Sequence, residues 1–451
     1  MNYLVLLPIL VSAAGFYMII RLKAFFIVHP IRSARKMLAA IKRDGNLSAL
    51  TLALSGTLGV GNIIGVSLAV AIGGEGSVLW IFLSSLFSCI IKYSEVTISV
   101  DKGGAAELIR SSTGKLGDVV STVYCAICLL LSLLMGSALQ ARCVGASISE
   151  GVGTSRSVVT LALIIVCFAL LSGNSEKARN ISVKMLPIAT IVYIFLIFTV
   201  LFVNIERLPS ALLRIITSAF SPKSMGGGIA GSAMLLSLRE GYCAGMLSNE
   251  AGSGTSSLAH TLSSGVTPCE CGLFGICEVF FDTTVLCSLT GLAIVVGVED
   301  VGTYSSPMQL CIDAFSSSLG TVGILVLSAL VFVFAVSTVL CWYYYGRVML
   351  THLFGNRLRS LYTILYFVFI PIGVYSSDGL LAYLSDSLLL LMAIPILFAV
   401  IKSSDRIISL SETLIARRER ASDIKEDEYA KAARNRFSRA SRKAHPRSHT
   451  R

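Results

Sequence analysis

The sequence predicts an all-α polytopic membrane protein with about 11 transmembrane helices, and two observations predict this fold class. First, 54% of the 451 residues are apolar and only 14% are charged, whereas a soluble domain usually carries about 25% charged residues. Second, apolar runs of roughly 20 residues recur along most of the chain, each long enough to cross a hydrocarbon core about 30 Å thick. Because lipid offers main-chain amides no hydrogen-bond partner, such runs are expected to be helices.

The apolar runs predict eleven helices, one of them interrupted. Their expected bounds are residues 3–22, 48–71, 77–100, 117–149, 156–172, 181–203, 229–264 (interrupted), 271–297, 318–350, 360–377 and 384–402. A basic, amphipathic stretch from His29 to Asn46 is expected to lie along the cytoplasmic face. The predicted segments are an N-terminal helix with this stretch (1–47), a first five-helix block (48–204), an extracellular connection (205–228), a second five-helix block (229–402) and a basic cytoplasmic tail (403–451).

Lysine and arginine are distributed unevenly around these helices, and this predicts their orientation. With the N-terminus outside, 30 of the 37 Lys and Arg lie in predicted cytoplasmic segments and four lie in outer loops. Because cytoplasmic loops are enriched in Lys and Arg, we expect a multi-pass protein of the bacterial inner membrane, with its N-terminus outside and its C-terminus in the cytoplasm. The net charge of +11 follows from this topology, so no nucleic-acid partner is expected.

The sequence contains no pattern typical of an enzyme or a metal site. The C-x-x-C at Cys125 and Cys128 and the C-x-C at Cys269 and Cys271 have no His or Cys at metal spacing nearby. The five histidines are scattered near loops and ends of helices. We therefore expect no cofactor and no enzymatic activity, and we interpret the cysteines as buried packing residues.

Two predicted helices carry glycine-rich polar interruptions at matching places. The first contains S-G-T-L-G-V-G-N at residues 55–62, and the second contains S-N-E-A-G-S-G at residues 248–254. Each glycine costs a helix roughly 1 kcal/mol relative to alanine, so both helices are expected to be unwound near the middle of the membrane. One interruption opens the first five-helix block and the other opens the second. Such a pair is typical of an inverted-repeat transporter whose site lies at the membrane midplane.

An unwound helix offers main-chain groups to a ligand. Free amides at the start of the second half-helix, near Gly61 and Asn62, favour a carboxylate, and free carbonyls favour a cation. Glycine also permits a ligand to approach the backbone closely. The alternative is that these glycines only allow neighbouring helices to pack closely, as small residues often do in membranes.

Several motifs are similar to those of a known family. Residues 53–63 read A-L-S-G-T-L-G-V-G-N-I, similar to the A-x-S-G-T-x-G-x-G-N-I of the alanine or glycine:cation symporter family, and S-N-E-A-G at 248–252 matches that family unchanged. Further matches are Lys92 with Glu95, Gly103 with Gly104, Asp282 with Thr283, S-T-x-x-x-W-x-Y-Y-G at 337–346 and L-M-A-I-P at 391–395. The motifs occur in the family's order, from about residue 50 to about residue 400. The chain therefore resembles this family.

The resemblance implies a LeuT-type fold, a 5+5 inverted repeat preceded by one extra N-terminal helix. It also implies sodium-coupled uptake of a small neutral amino acid, alanine (L or D) or glycine, by alternating access. The substrate-binding residues implied are Gly59, Val60, Gly61 and Asn62 at the carboxylate, Gln140 facing the amino acid, and Thr338 and Trp342 at its side chain. The sodium ligands implied are the main-chain carbonyls of Ser55 and Leu58 and the hydroxyls of Ser337 and Thr338, an all-oxygen set that suits a hard cation.

Five positions depart from the family pattern. They are Ala105 in place of Pro, Arg142 and Ile396 in place of Asn, Ala244 in place of Arg, and Arg347 in place of Glu. These changes leave the choice of substrate and the number of coupled ions open. Two other functions therefore stay open, a proton-coupled amino-acid permease and a non-transporting sensor with a transporter fold.

Charged and polar residues inside the predicted helices are further candidates, because such groups usually face a partner or a cavity. The gating or structural candidates are Asn249, Glu250, Gly252 and Asp282. Glu250 is expected either to cap free amides or to couple a cation or proton. Asp282 and Asp386 are expected to anchor neighbouring helices, and Lys92 and Glu95 are expected to form a local ion pair.

Overall fold

Every regular element that the structure describes is a helix. The computed structural model describes residues 6–25, 30–42, 46–171, 175–220, 230–304 and 306–412. The chain divides into a large unit, residues 1–404, and a second unit, residues 405–451, of which residues 405–412 are described and helical. The all-α prediction is therefore confirmed for the described chain. Residues 413–451 of the predicted tail lie outside the described residues.

The helices follow the order of the predicted spans. The single-segment helices are α1 (Leu6–Arg21), α2 (Pro30–Ile41), α3 (Asn46–Thr57), α5 (Ser77–Lys102), α6 (Ala105–Ser112), α8 (Arg156–Leu171), α9 (Ser175–Val203), α10 (Leu208–Ala219), α11 (Ala230–Asn249), α12 (Ser257–His260), α14 (Pro307–Phe354), α15 (Arg359–Tyr375) and α16 (Asp378–Lys402). Three helices contain a π-helical turn: α4 (Gly61–Gly65, then Val66–Gly73), α7 (Gly117–Leu133, Leu134–Leu139, Gln140–Gly151) and α13 (Pro268–Val279, Phe280–Cys287, Ser288–Gly297).

Six of the described helices are long and apolar enough to cross a membrane on their own. They are α5, α7, α9, α13, α14 and α16. The pair α3 and α4 passes the same test as one span that is bent by 50° at its break, and α1, α8 and α15 are shorter apolar helices. The molecule is therefore a multi-pass membrane protein. The count of 11 spans and the repeat layout stay predictions.

Some helices begin earlier or lie where none was expected. α14 begins at Pro307 instead of residue 318, because Ser306 caps it by accepting from the Gln309 amide and proline suits the first helical position. The helix changes direction at Gly320, whose φ is 56°. α10 lies within the predicted connection 205–228. Hydropathy missed these parts because they are amphipathic or too short to span a membrane.

Glycines allow α5 to pack closely against both α11 and α13. A methyl group on Gly241 of α11 would clash with the Ser77 main chain, and one on Gly245 would clash with the Ser84 side chain. On the other side, a methyl group on Gly272 of α13 would clash with the Thr97 side chain. Small residues thus bring three helices into close contact, as is common in membranes. The second glycine-rich interruption, which follows α11, therefore lies against α5.

Candidate substrate and cation site

The first interruption is a true break in the helix. α3 ends at Thr57 and α4 begins at Gly61, and the Gly59 amide turns back to the Thr57 carbonyl at 2.8 Å. In the described chain, the Val60 amide donates no hydrogen bond, and the carbonyls of Ser55 and Leu58 accept none. Buried main-chain groups almost always have a partner. The break therefore presents a donor and two acceptors to a ligand.

Two polar side chains from other helices meet the break at Gly59. A methyl group on Gly59 would lie 3.0 Å from Thr338 Oγ1 of α14 and 3.3 Å from Gln140 Oε1 of α7. Both oxygens are buried and have no hydrogen-bond partner among the residues described. The structure thus brings Gly59, Gln140 and Thr338 together, which the sequence indicated only through the family resemblance.

A cavity of about 310 Å³ adjoins the break. Of the predicted substrate residues, Gly59, Val60, Gly61 and Gln140 line it, together with Gly56 and Thr57. It extends past α11 toward the first residues of α14 and α16, where Pro307 and Gly379 line it. A volume near 300 Å³ is at the lower end of the range for small-molecule pockets, so the cavity is large enough for one amino acid.

Trp342 and Asn62 lie behind the break and do not line the cavity. The buried Trp342 indole donates from Nε1 to the Gly56 carbonyl at 3.2 Å, so it supports the end of α3. The Asn62 amide donates from Nδ2 to Asp282 Oδ1 at 2.7 Å, while its Oδ1 is buried without a partner among the residues described. Both residues contact the break. Neither Trp342 nor Thr338, which the resemblance implied at the substrate side chain, lines the cavity.

The predicted sodium ligands fall into two groups. The Ser55 hydroxyl donates to the Thr51 carbonyl at 2.8 Å. The main-chain oxygens of Ser55 and Leu58 accept no hydrogen bond from the described residues. Thr338 keeps an unpartnered hydroxyl, whereas the Ser337 hydroxyl lies 3.1 Å from that of Ser182 on α9. A hydroxyl oxygen has two lone pairs, so Ser337 still has acceptor capacity in this arrangement.

Asp282 contacts both broken helices. It accepts from Asn62 beside the first break, from Ser248 Oγ of α11 at 2.8 Å and from Thr283 Oγ1 at 2.8 Å. Thr283 in turn accepts from Asn249 Nδ2 at 3.0 Å. Asp282 and Asn249 therefore hold the ends of α3–α4 and α11 in a fixed relation.

The second interruption is filled by side chains of the protein. Between α11 and α12 the backbone takes positive φ angles at Glu250 (53°), Gly252 (87°) and Gly254 (84°). Glu95 accepts from the amides of Gly252 and Gly254, at 2.6 and 3.0 Å. The loop's freed amides are thus occupied by a buried carboxylate.

Lys92 binds the same loop instead of forming the expected ion pair with Glu95. Its Nζ donates to the Glu250 carbonyl at 3.3 Å and to Ser256 Oγ at 2.7 Å, and it lies 3.9 Å from Glu278 of α13. The pairing prediction was wrong because spacing along α5 says nothing about the loop that packs across it.

Sequence reasoning missed several residues around these breaks. Asp386, predicted as a helix anchor, lines the cavity instead and accepts no hydrogen bond in the described chain; Arg239 and Glu240, which pair with each other, also line it. Glu278 and His260 contact each other beside Lys92. The available signal was the cost of charged residues within membrane helices.

Of the departures from the family pattern, Ala244 lines the cavity, and the buried Arg142 donates to the Val374 carbonyl at 3.5 Å.

The sequence matches a known protein family. The model of the sodium:alanine symporter family matches residues 1–428. The chain belongs to this family. The family and its curated relatives are transporters, so the chain is a membrane transporter and not an enzyme.

Two relatives and one solved structure illustrate the similarity. The sodium/alanine symporter AgcS of Methanococcus maripaludis is 26% identical, over 89% of this chain and 92% of the relative. The sodium/proton-dependent alanine carrier protein of Bacillus sp. strain PS3 is 26% identical, over 70% of this chain and 74% of the relative. The crystal structure of MhsT in complex with L-phenylalanine is 14% identical with a TM-score of 0.52, covering 78% of this chain and 88% of that one. This last similarity shows that the chain shares the LeuT fold.

Proposed function

We propose that this chain is a secondary active transporter that takes up a small neutral amino acid, alanine or glycine, together with sodium by alternating access. One observation carries the proposal most directly. At the first break an open amide and two open carbonyls lie where Gln140 and Thr338 direct unpartnered oxygens at Gly59. A zwitterion and a cation together match this set of donors and acceptors.

The roles follow from the chemistry of each group. The Val60 amide and the start of α4, residues Gly59 to Asn62, bind the substrate carboxylate, because the N-terminal end of a helix favours an anion. Gln140 Oε1 faces the same space and is suited to accept from the substrate ammonium group.

The cation lies on the other side of the break. The carbonyls of Ser55 and Leu58 and the hydroxyls of Ser337 and Thr338 are hard oxygen ligands. Trp342 supports the break from behind by donating to the Gly56 carbonyl, and the cavity of about 310 Å³ suits a small amino acid. Sodium and substrate thus share one break, which is the physical basis for coupling them.

The proposal includes a topology. The six clear spans, the bent pair α3–α4, the three shorter apolar helices and the broken α11–α12 together give eleven crossings. The first broken helix opens one block of five and the second opens the other, as an inverted repeat requires. With the N-terminus outside, α16 runs inward, so the cavity beside its start faces the outside.

Uptake into proteoliposomes tests the proposal. Labelled alanine and glycine are added with an inward sodium gradient, with the same gradient of potassium, and with a pH gradient alone. The proposal expects uptake that requires the sodium gradient. Uptake with the pH gradient alone would favour the proton-coupled permease, and no uptake of either amino acid would favour a sensor.

A variant links this assay to the site. We expect Asn62→Ala to abolish high-affinity uptake while the protein still reaches the membrane, because the side-chain amide that donates to Asp282 beside the break is lost. Full uptake by this variant would contradict the placement of the site.

A further inference from the structure

A second cluster of ionisable side chains lies apart from the cavity, where α11 ends. It comprises Lys92 and Glu95 of α5, Glu250 in the second break, His260 of α12 and Glu278 of α13, and all five are buried. An ionised carboxylate is costly to bury unless it is paired and hydrogen-bonded. The cluster places three carboxyl groups beside one lysine, so the lysine cannot balance all of them.

Two of the three carboxyl groups are satisfied by the protein. Glu95 accepts from the two amides of the loop. Glu278 lies 3.9 Å from Lys92 Nζ, accepts from Ser256 Oγ at 2.7 Å and contacts His260 Nε2. Donors to the charged form keep such carboxylates ionised inside a protein.

Glu250 differs from both. Its Oε2 accepts from Thr255 Oγ1 at 2.6 Å, but its Oε1 is buried and has no partner in the part of the chain that is described. Lys92 reaches only its main-chain oxygen, at 3.3 Å. The residue is 3% exposed and has a positive φ of 53°. A buried carboxyl group with one unpartnered oxygen, near the carboxylates of Glu95 and Asp282, is best satisfied by carrying its own proton.

The groups facing Glu250 come from every element packed around it. They are Lys92 and Glu95 of α5, Asp282 of α13, Thr255 in the loop itself, Tyr124 and Cys128 of α7, and Cys341 and Tyr345 of α14. Lys92 is the cationic member of this set, and its Nζ donates to Ser256 and lies 3.9 Å from Glu278. Among the described residues, no cationic side chain therefore contacts the Glu250 carboxyl group itself.

Asp282 relates Glu250 to the substrate site. It lies near enough to interact electrostatically with the Glu250 carboxyl group, and it accepts from Asn62 Nδ2 beside the first break at 2.7 Å. A change of charge at Glu250 would thus act on both breaks.

We propose that Glu250 is the proton-binding group of this transporter. Its carboxylate takes a proton from water on the outer side, forming an O–H bond at Oε1, and this bond breaks when the second break opens to water on the inner side. The proton travels with the amino acid and sodium, and no electrons are transferred. This inference rests on the proposed function, since it requires the alternating movement of the two breaks.

Proteoliposomes containing a trapped pH-sensitive dye test the inference. Labelled alanine is added under an inward sodium gradient, with the membrane potential clamped by valinomycin and potassium, and both uptake and internal acidification are followed. The wild type is expected to show both. Glu250→Gln, which mimics the protonated group, is expected to exchange alanine across the membrane but to lose acidification and the pH dependence of uptake. Glu107→Gln on the surface of α6 is the control and is expected to behave as wild type.

The outcomes distinguish a failure of the proton assignment from a failure of the proposed function. Sodium-driven uptake without acidification in the wild type, or full acidification by Glu250→Gln, overturns the inference and leaves the proposed function intact. Absence of any wild-type uptake overturns the proposed function and this inference with it. If Glu250→Gln does not fold, Glu250→Asp decides: a shifted pH dependence of proton movement supports the assignment, and an unchanged one rejects it.

Discussion

The two breaks have similar sequences and opposite contents. At the first, between α3 and α4, the Val60 amide and the carbonyls of Ser55 and Leu58 have no partner in the described chain. At the second, between α11 and α12, a carboxylate (Glu95) occupies the freed amides and an ammonium group (Lys92) donates to a freed carbonyl. The difference indicates that, of these two breaks, only the first offers its main-chain groups to a ligand, because the helix packed against the second already supplies the matching charges.

The largest expected effect comes from removing the carboxylate that binds the amides of the second break. In Glu95→Gln the side-chain NH₂ would face a main-chain N–H, so one loop amide would lose its acceptor. Removing one member of a buried charge network typically costs about 3–5 kcal/mol, and we expect the free energy of unfolding in detergent to fall by about this amount. Glu107→Gln, which breaks a half-exposed pair with Arg110, is the control and is expected to cost about 0–1 kcal/mol. Equal stability of the two variants would refute an internal ligand at this break.

The next effect comes from filling the first break. Gly59→Ala places a methyl group 3.0 Å from Thr338 Oγ1 and 3.3 Å from Gln140 Oε1, in the space assigned to substrate and sodium. We expect uptake to be lost while stability falls by only about 1–3 kcal/mol, as is typical of overpacking. Gly302→Ala in an exposed loop is the matched control. Normal uptake by Gly59→Ala would show that ligands do not approach the backbone here.

Trp342 supports the end of α3 at the first break, because its indole donates to the Gly56 carbonyl. Trp342→Ala leaves the Gly56 carbonyl without its donor and opens a cavity, so high-affinity uptake should be lost although the protein still reaches the membrane. Trp342→Phe removes the hydrogen bond, worth about 0.5–1.5 kcal/mol, but keeps a smaller aromatic ring in place, so we expect a milder effect than in Trp342→Ala, with the KM for alanine raised at least about 2- to 10-fold at unchanged kcat. An unchanged KM in both variants would show that the break does not depend on this support.

The smallest effect is expected at Ser182, which contacts Ser337 from α9. Ser182→Ala removes the hydrogen bond to the Ser337 carbonyl at 2.9 Å and the contact between the two hydroxyls at 3.1 Å, while the Ser337 hydroxyl keeps the Ser182 main-chain carbonyl as an acceptor at 3.4 Å. One such bond contributes about 0.5–1.5 kcal/mol, so the apparent sodium affinity should change by no more than about tenfold while maximal uptake is kept. Loss of all sodium dependence would indicate that Ser182 itself is a ligand.

The sequence predicted the break at residues 55–62 and its partner at 248–254, because glycine penalties and flanking apolar runs act locally. The meeting of Gln140 and Thr338 at Gly59 was indicated only by the family resemblance, since nothing in their local sequence relates α7 to α14.

Other features depended on contacts between distant segments. The spacing of Lys92 and Glu95 predicted an ion pair between them, whereas each binds the loop between α11 and α12 instead. Asp386 was predicted as an anchor but lines the cavity. These differences arise because the partner of a buried charge is set by tertiary packing.

Amide hydrogen exchange at the two breaks, with and without alanine and sodium, tests the central claim most directly. We predict that ligands slow exchange in the segment containing Val60 and Gly61, while the segment containing Gly252 and Gly254 gains no protection from ligands because Glu95 already accepts from its amides. Equal ligand-induced protection at both breaks, or none at the first, would contradict the account.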